Sequence, residues 1–473
     1  MPATPSVATA GVGFRSERGP VLAAVMLSTA LVAIDSTIIA TAVPSVVDDI
    51  GGFTQFPWLF SVYLLAQAVT VPLYGKLSDL FGRKPVILFG IATFFVGSVL
   101  CGLATSMTML IVFRAIQGLG AGGIAPVTVT IVGDLYTVEE RAKVQGYVAS
   151  VWGVSSVVGP TLGGVFSEYV SWRWIFFVNL PLCLLAAGMI WRSYHERRTP
   201  ARPVIDYRGA VLLTAGLTLV ILGVLEGGQA WAWTSPASAA TLGIGALLLA
   251  AFLLAERRTR EPVLPLWVFR RRLLVASGVV SAGAGAILLG LSSYVPTYAQ
   301  EVIGVGPLVA GLALAALTLG WPIAASQSGR LYLRFGFRDC ALTGVGIIVV
   351  GCALLLLLGG GSNVWQVGLT CMVIGLGMGL TVSPTLIASQ SSVGWKDRGV
   401  VTANNLFLRS VGSSLGTAVF GAVANAKLRG SHGDPARLVG AVHHVFIGVL
   451  AVAVVVAFAA LLLPRGDVLA PAE

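Results

Sequence analysis

Fourteen stretches of mostly apolar residues, each long enough to cross a membrane, recur along this 473-residue chain. A bilayer core about 30 Å thick takes about 20 apolar residues in helical form, and lipid leaves no partner for an open backbone. The stretches run over 20–43, 56–75, 86–105, 108–132, 144–167, 174–191, 209–226, 237–255, 274–298, 307–328, 339–358, 364–388, 399–424 and 441–463. Only 11% of the residues are charged, where a soluble protein carries about 25%. The chain is therefore read as an all-α, multi-pass membrane protein, and soluble, disordered and collagen-like classes are excluded. Its five cysteines stand singly in apolar runs and its four histidines are scattered, so no disulfide framework and no metal site is expected. The first nineteen residues are polar and no small-residue cleavage site follows the first stretch, which argues against a cleaved signal peptide.

Lysine and arginine set the orientation. With both termini in the cytoplasm, 24 of the 30 fall in inside segments, four in outside loops (Arg173, Lys427, Arg429, Arg437) and two, Arg114 and Arg409, within spans. This is the positive-inside pattern, and it accounts for the net charge of +10 without nucleic acid. The longest basic loops are 192–208, with Arg192, Arg197, Arg198, Arg202 and Arg208, and 256–272, where Leu264–Phe269 lies between arginines. Such segments anchor a cytoplasmic face, and the second also suits an anionic lipid surface. Arginine outnumbers lysine 25 to 5, a bias associated with GC-rich bacteria, so a bacterial inner (cytoplasmic) membrane is expected.

The chain also repeats itself. Gly75-Lys76-Leu77-Ser78-Asp79-Leu80-Phe81-Gly82-Arg83-Lys84 lies between spans 2 and 3, and Gly329-Arg330-Leu331-Tyr332-Leu333-Arg334-Phe335-Gly336-Phe337-Arg338 between spans 10 and 11. Both keep Gly, Leu two on, Gly seven on, then a basic residue; Leu333 replaces the Asp. The offset of 254 residues is eight spans, as two six-span halves with two spans inserted between them would give. The expected division is a tail at 1–19, bundles at 20–191 and 273–463, an insert with basic flanks at 192–272, and a tail at 464–473.

Four further motifs occur in order: Ile34-Asp35-Ser36-Thr37 in span 1, Arg114-Ala115-Ile116-Gln117-Gly118 in span 4, Gly153 with Gly159-Pro160-Thr161-Leu162-Gly163-Gly164 in span 5, and Trp172-Arg173-Trp174 to Asn179-Leu180-Pro181 opening span 6. With the Gly75 loop and fourteen spans, the chain resembles the major facilitator superfamily, and within it the drug:proton antiporters of the EmrB/QacA type. The resemblance implies two six-helix bundles around a central cavity, a proton gradient as energy source and alternating access. It implies a proton-coupling role for Asp35, with Arg114 facing the cavity, and a conformational latch in Gly75, Asp79, Gly82, Arg83 and Lys84. The span 5 residues Gly153, Gly159, Pro160, Gly163 and Gly164 are associated with exporters and antiporters.

The residues carry physical readings of their own. An ionised carboxylate within a membrane is costly unless it is paired or faces water, which marks Asp35. Small residues let helices touch closely, and Pro160 bends span 5. Thr37, Gln117, Asn179, Tyr294, Tyr298, Asn404, Asn405 and Arg409 are expected to line the substrate cavity near the midplane; Glu226 is expected at a rim. The Gly118–Gly123 run lies inside a span and no G-x-x-x-x-G-K-[ST] follows, so no nucleotide or other cofactor is expected. The leading expectation is export of a hydrophobic or cationic compound, as in multidrug or antibiotic efflux, in exchange for protons. Export of one metabolite or lipid, and proton-coupled import, are the alternatives. Only Asp35 and Arg114 lie deep in the N-terminal half, too few for a membrane enzyme.

Overall fold

The computed structural model describes residues 12–52, 55–196, 206–227, 231–259, 261–359, 361–428 and 435–465. Arg197, Arg198 and Arg202 of the first basic loop, Arg260 of the second, Arg429, and most of both tails lie outside the described residues.

Six spans form an N-terminal bundle: α1 (Gly19–Ile50), α2 (Pro57–Phe81), α3 (Arg83–Gly102), α4 (Met107–Leu135), α5 (Val138–Tyr169), and the broken pair α6 (Trp174–Phe177) and α7 (Asn179–Ser193). A hairpin follows, α8 (Tyr207–Glu226) and α9 (Pro236–Glu256). The C-terminal bundle is α10 (Arg272–Glu301), α11 (Pro307–Phe335), α12 (Phe337–Leu356), α13 (Val364–Ser391), α14 (Arg398–Leu428) and α15 (Pro435–Leu461).

The bundles repeat one packing scheme. α1 packs on α5 and α7 as α10 packs on α14 and α15, and α4 sits against α2 and α3 as α13 sits against α11 and α12. The repeated loops make the same turn, Gly82 at φ +93° and Gly336 at φ +89°, a region that favours a residue without Cβ. The bundles meet along two seams, α5 against α11 and α2 against α14. The hairpin closes over the second: Leu213, Leu217 and Phe252 share a core with Val69 and Val71 of α2 and Val401 and Phe407 of α14. Side chains such as Leu184, Leu247 and Phe458 stay exposed on the outer faces, as a lipid-facing surface requires.

Thirteen helices among the described residues are long and apolar enough to cross a membrane, where the sequence reading expects fourteen spans. The fourteenth expected span, 399–424, folds as the 31-residue α14 and carries Asn404, Asn405, Arg409 and several serines. It sits inside the C-terminal bundle, so most of those groups avoid lipid. Two boundaries also move. α2 runs on to Phe81, so Gly75 to Phe81 is its last turns and the loop proper is Gly82 alone. Span 6 breaks at Val178, because Pro181 has no N–H to give the carbonyl of Phe177.

Candidate functional site

Asp35 lies on α1, midway between the helix ends, and only 1% of its side chain is exposed. Its Oδ2 takes a hydrogen bond from Arg114 Nη1 of α4 at 2.7 Å, and its Oδ1 takes bonds from Gln117 Nε2 at 2.8 Å and Asn179 Nδ2 at 3.1 Å. Arg114 and Gln117 share a face of α4 because they stand three residues apart. Arg114 also donates to Gln117 Oε1 at 2.7 Å and to the Leu59 carbonyl at 3.2 Å, and lies 4.1 Å from the centre of the Tyr63 ring. Gly97 of α3 allows the approach, since a Cβ there would come within 2.6 Å of the Gln117 backbone. The α6–α7 break delivers Asn179 at the first turn of α7. The result is an anion and a cation sealed inside the N-terminal bundle. Gln117 and Asn179, two of the expected cavity-lining residues, are fully buried members of this cluster.

Below this cluster α1 runs against α5. Thr37 Oγ1 donates to the Ser155 carbonyl at 3.0 Å and Thr41 Oγ1 to the Pro160 carbonyl at 3.3 Å. Gly159 and Gly163 face these threonines so closely that a Cβ on either would collide with α1. Gly153 turns instead to α11, 3.5 Å from the Thr318 carbonyl, while a Cβ on Gly164 would touch nothing within 4 Å. Thr37 therefore packs the helix pair whose position sets that of Asp35.

The Asp79 end makes a second polar network, this time between the bundles. Asp79 is 3% exposed and accepts backbone N–H bonds from Gly399 at 2.9 Å and Val400 at 2.8 Å, the first turn of α14. Donors at a helix start and the helix dipole both favour a carboxylate there. Arg83, fully buried, pairs with Asp79 at 3.0 Å and Asp134 at 2.9 Å, donates to the Trp395 carbonyl at 2.7 Å, and lies over the Trp395 ring. Asp134 also accepts from Arg398 at 3.0 Å, and Arg141 donates to Ser391 Oγ at 2.9 Å. Gly75 makes the helix crossing possible: a Cβ there would lie 2.9 Å from the Gly399 carbonyl. Lys84 stays outside the seam and bonds the Trp191 carbonyl at 2.6 Å.

In the C-terminal half, Tyr298 is fully buried and donates to the Gly359 carbonyl at 2.9 Å, so it ties α10 to the α12–α13 link. Asn405 bonds the Val401 carbonyl at 3.2 Å, while its own carbonyl accepts from Ser281 of α10. Asn404 is buried with an unpartnered Oδ1. Tyr294 is half-buried, its hydroxyl 4.0 Å from the Cβ position of Gly421 on α14. Arg409 is half-buried and has no hydrogen bond, ion pair or ring contact to any described residue. Glu226 ends α8 half-buried.

The Major Facilitator Superfamily model matches residues 25–417. The chain belongs to that superfamily. It is a multi-pass membrane transporter, not an enzyme. It is 35% identical to "Multidrug resistance protein 3" of Bacillus subtilis over 85% of this chain and 79% of that protein, and 32% identical to "Multidrug transporter protein MdtP" of the same organism over 88% and 77%. It is 31% identical to "Efflux pump dotC" of Dothistroma septosporum over 84% and 69%. The crystal structure of the human organic anion transporter MFSD10 superposes with a TM-score of 0.68 over 94% of this chain and 99% of that one; at 17% identity the likeness is one of fold.

Several residues of this transporter's networks were missed by sequence reasoning. Asp134, Arg141, Gln390, Ser391 and Arg398 complete the inter-bundle seam, and Ser98 and Tyr63 complete the Asp35 cluster. Glu196 accepts N–H bonds from Arg83 at 2.8 Å and Lys84 at 3.3 Å, capping α3. An acidic residue ending a span, as at Asp134, and a lone Glu196 in a basic loop were the available signals.

Proposed function

We propose that this transporter exports hydrophobic or amphiphilic compounds in exchange for protons, in a bacterial cytoplasmic membrane with both termini inside. The observation that carries this reading is the sealed cluster of Asp35, Arg114, Gln117 and Asn179. An ion pair held out of water is stable only while both charges remain, and removing one costs about 3–5 kcal/mol. Protonation of Asp35 would free Arg114 and loosen α1 from α4. The glycine contacts of α5 would pass that movement toward α11. The inter-bundle bonds at Asp79, Asp134 and Arg141 gather at the end that carries Gly82 and Gly336. With that end cytoplasmic, they act as the latch of an outward-facing state. Asp79, Gly82 and Arg83 hold it, and Gly75 permits it.

The relatives named for multidrug resistance and efflux support export over import. Drug-like small molecules are the substrates those names suggest. The exposed Arg257, Arg258, Arg270 and Arg272 flank the short helix at Leu266–Phe269 with no ion pair to any described residue, which suits anionic lipid at the cytoplasmic face. The test is dye uptake into inverted vesicles of a host lacking its own pumps. Uptake that follows an imposed proton gradient and collapses with an uncoupler supports the reading; uptake indifferent to the uncoupler refutes proton coupling.

A further inference from the structure

Among the described Asp, Glu, Lys and Arg side chains, three stand seven or more residues from both ends of their helix: Asp35, Arg114 and Arg409. The first two neutralise each other at 2.7 Å inside the N-terminal bundle, with 1% of each side chain exposed. That leaves one uncompensated charge at depth, and it is positive. Arg409 lies about 16 Å from the start of α14 and about 28 Å from its end at 1.5 Å per residue, too far for the guanidinium to reach either membrane surface.

Its direction follows from its neighbours. Leu415 and Val419, 48% and 57% exposed, mark the outer, lipid-facing side of α14, and Arg409 is turned from them by roughly a quarter-turn or more. Thr402, on the Arg409 side of the helix, bonds Gln390 of α13, and the Arg409 carbonyl lies against Gly285 of α10. The side chain thus belongs to the protein side of α14, a helix that also packs on α2 and α4 of the other bundle. An unpaired guanidinium deep in a membrane protein is costly and needs an anion in some state of the cycle. Its planar fork takes a carboxylate through two parallel bonds.

We infer that Arg409 is the binding group for an acidic moiety of the cargo, so that the preferred substrates are amphiphiles bearing a carboxylate or similar anion. Cationic compounds, the expectation drawn from an acid in span 1, are disfavoured because Asp35 is already matched by Arg114. The inference rests on the export reading for the direction of transport.

Three probes sharing one ring system test it: 1-naphthoate, 1-naphthylmethylammonium and 1-naphthalenemethanol, bound to the purified full-length protein in detergent and measured by equilibrium dialysis. Naphthoate is expected to bind the wild type about tenfold or more tighter than the ammonium. Arg409→Gln should erase that preference and Arg409→Lys should keep part of it, with thermal unfolding showing that both variants are folded. The wild-type ranking stands as evidence even if a variant misfolds. Ammonium binding as tight as naphthoate, naphthoate binding unchanged in Arg409→Gln, or no naphthoate binding at all overturns the inference. A wild type that pumps in the vesicle assay yet prefers the ammonium sinks this inference and leaves proton-driven export standing.

Discussion

Replacing Asp79 with alanine removes three contacts at once: the bonds from the Gly399 and Val400 N–H groups at 2.9 and 2.8 Å, and the pair with Arg83 at 3.0 Å. A hydrogen bond to a charged group contributes about 1.5–3 kcal/mol. Arg83 keeps Asp134, the Ser78 carbonyl and the Trp395 carbonyl, so no cation is stranded and the full penalty does not apply. The closed seam should therefore lose about 3–5 kcal/mol, or two to three and a half orders of magnitude in its population relative to the open one. Asp79→Asn, which keeps one acceptor oxygen, should lose less. Gly329 packs on Ala142, so the neighbouring exposed Lys143 and Arg330 are close while this end is shut. Spin labels at those two positions report the opening as a distance distribution, and the five native cysteines are buried away from the reagent. A long-distance population should grow in Asp79→Ala. Identical distributions in wild type and Asp79→Ala would refute the latch.

Other outcomes follow from the same contacts. Gly159→Val and Gly163→Val should separate α1 from α5 and abolish transport, whereas Gly164→Ala, with nothing within 4 Å of its Cβ, should pump normally; vesicle uptake at matched expression distinguishes them. Gly82→Ala meets both a strained φ of +93° and Glu196 Oε2 at 2.5 Å, while Gly336→Ala at φ +89° meets the strain alone. Both should lower the unfolding temperature in detergent, the first further, with strain of about 1–3 kcal/mol in each. Asp49 is held below the usual carboxylate range by the Trp172 indole N–H and Arg173 at the far end of α1. A depressed folded-state pKa gives stability that is present above the ordinary value of 3.8 and is lost as pH falls through the lower one. Wild type should therefore keep this clamp at mildly acidic pH, and Asp49→Asn should remove that pH dependence from thermal unfolding.

Much of the fold was legible because lipid leaves few alternatives: long apolar runs must be helices, and the Gly75 and Gly329 repeats marked the two halves. The span at 399–424 was legible as a helix, but its polar neighbours were not. The asparagines and arginine of α14 sit among helices that its own composition does not identify. The segment containing Asp79 was visible as a motif, but its partners were not, since α14 presents backbone N–H groups that no side-chain pattern advertises. Arg114 and Asp35 were legible as a costly pair of charges. Gln117 shares the Arg114 face of α4, and Asn179 reaches the pair from the start of α7, a meeting of three helices that spacing along the chain does not show.

The most direct test is proton-driven uptake by Asp35→Asn in reconstituted vesicles, run beside substrate exchange with no gradient imposed. The account predicts that the variant loses gradient-driven accumulation while exchange of internal for external substrate continues. Full accumulation under a proton gradient by Asp35→Asn would contradict it.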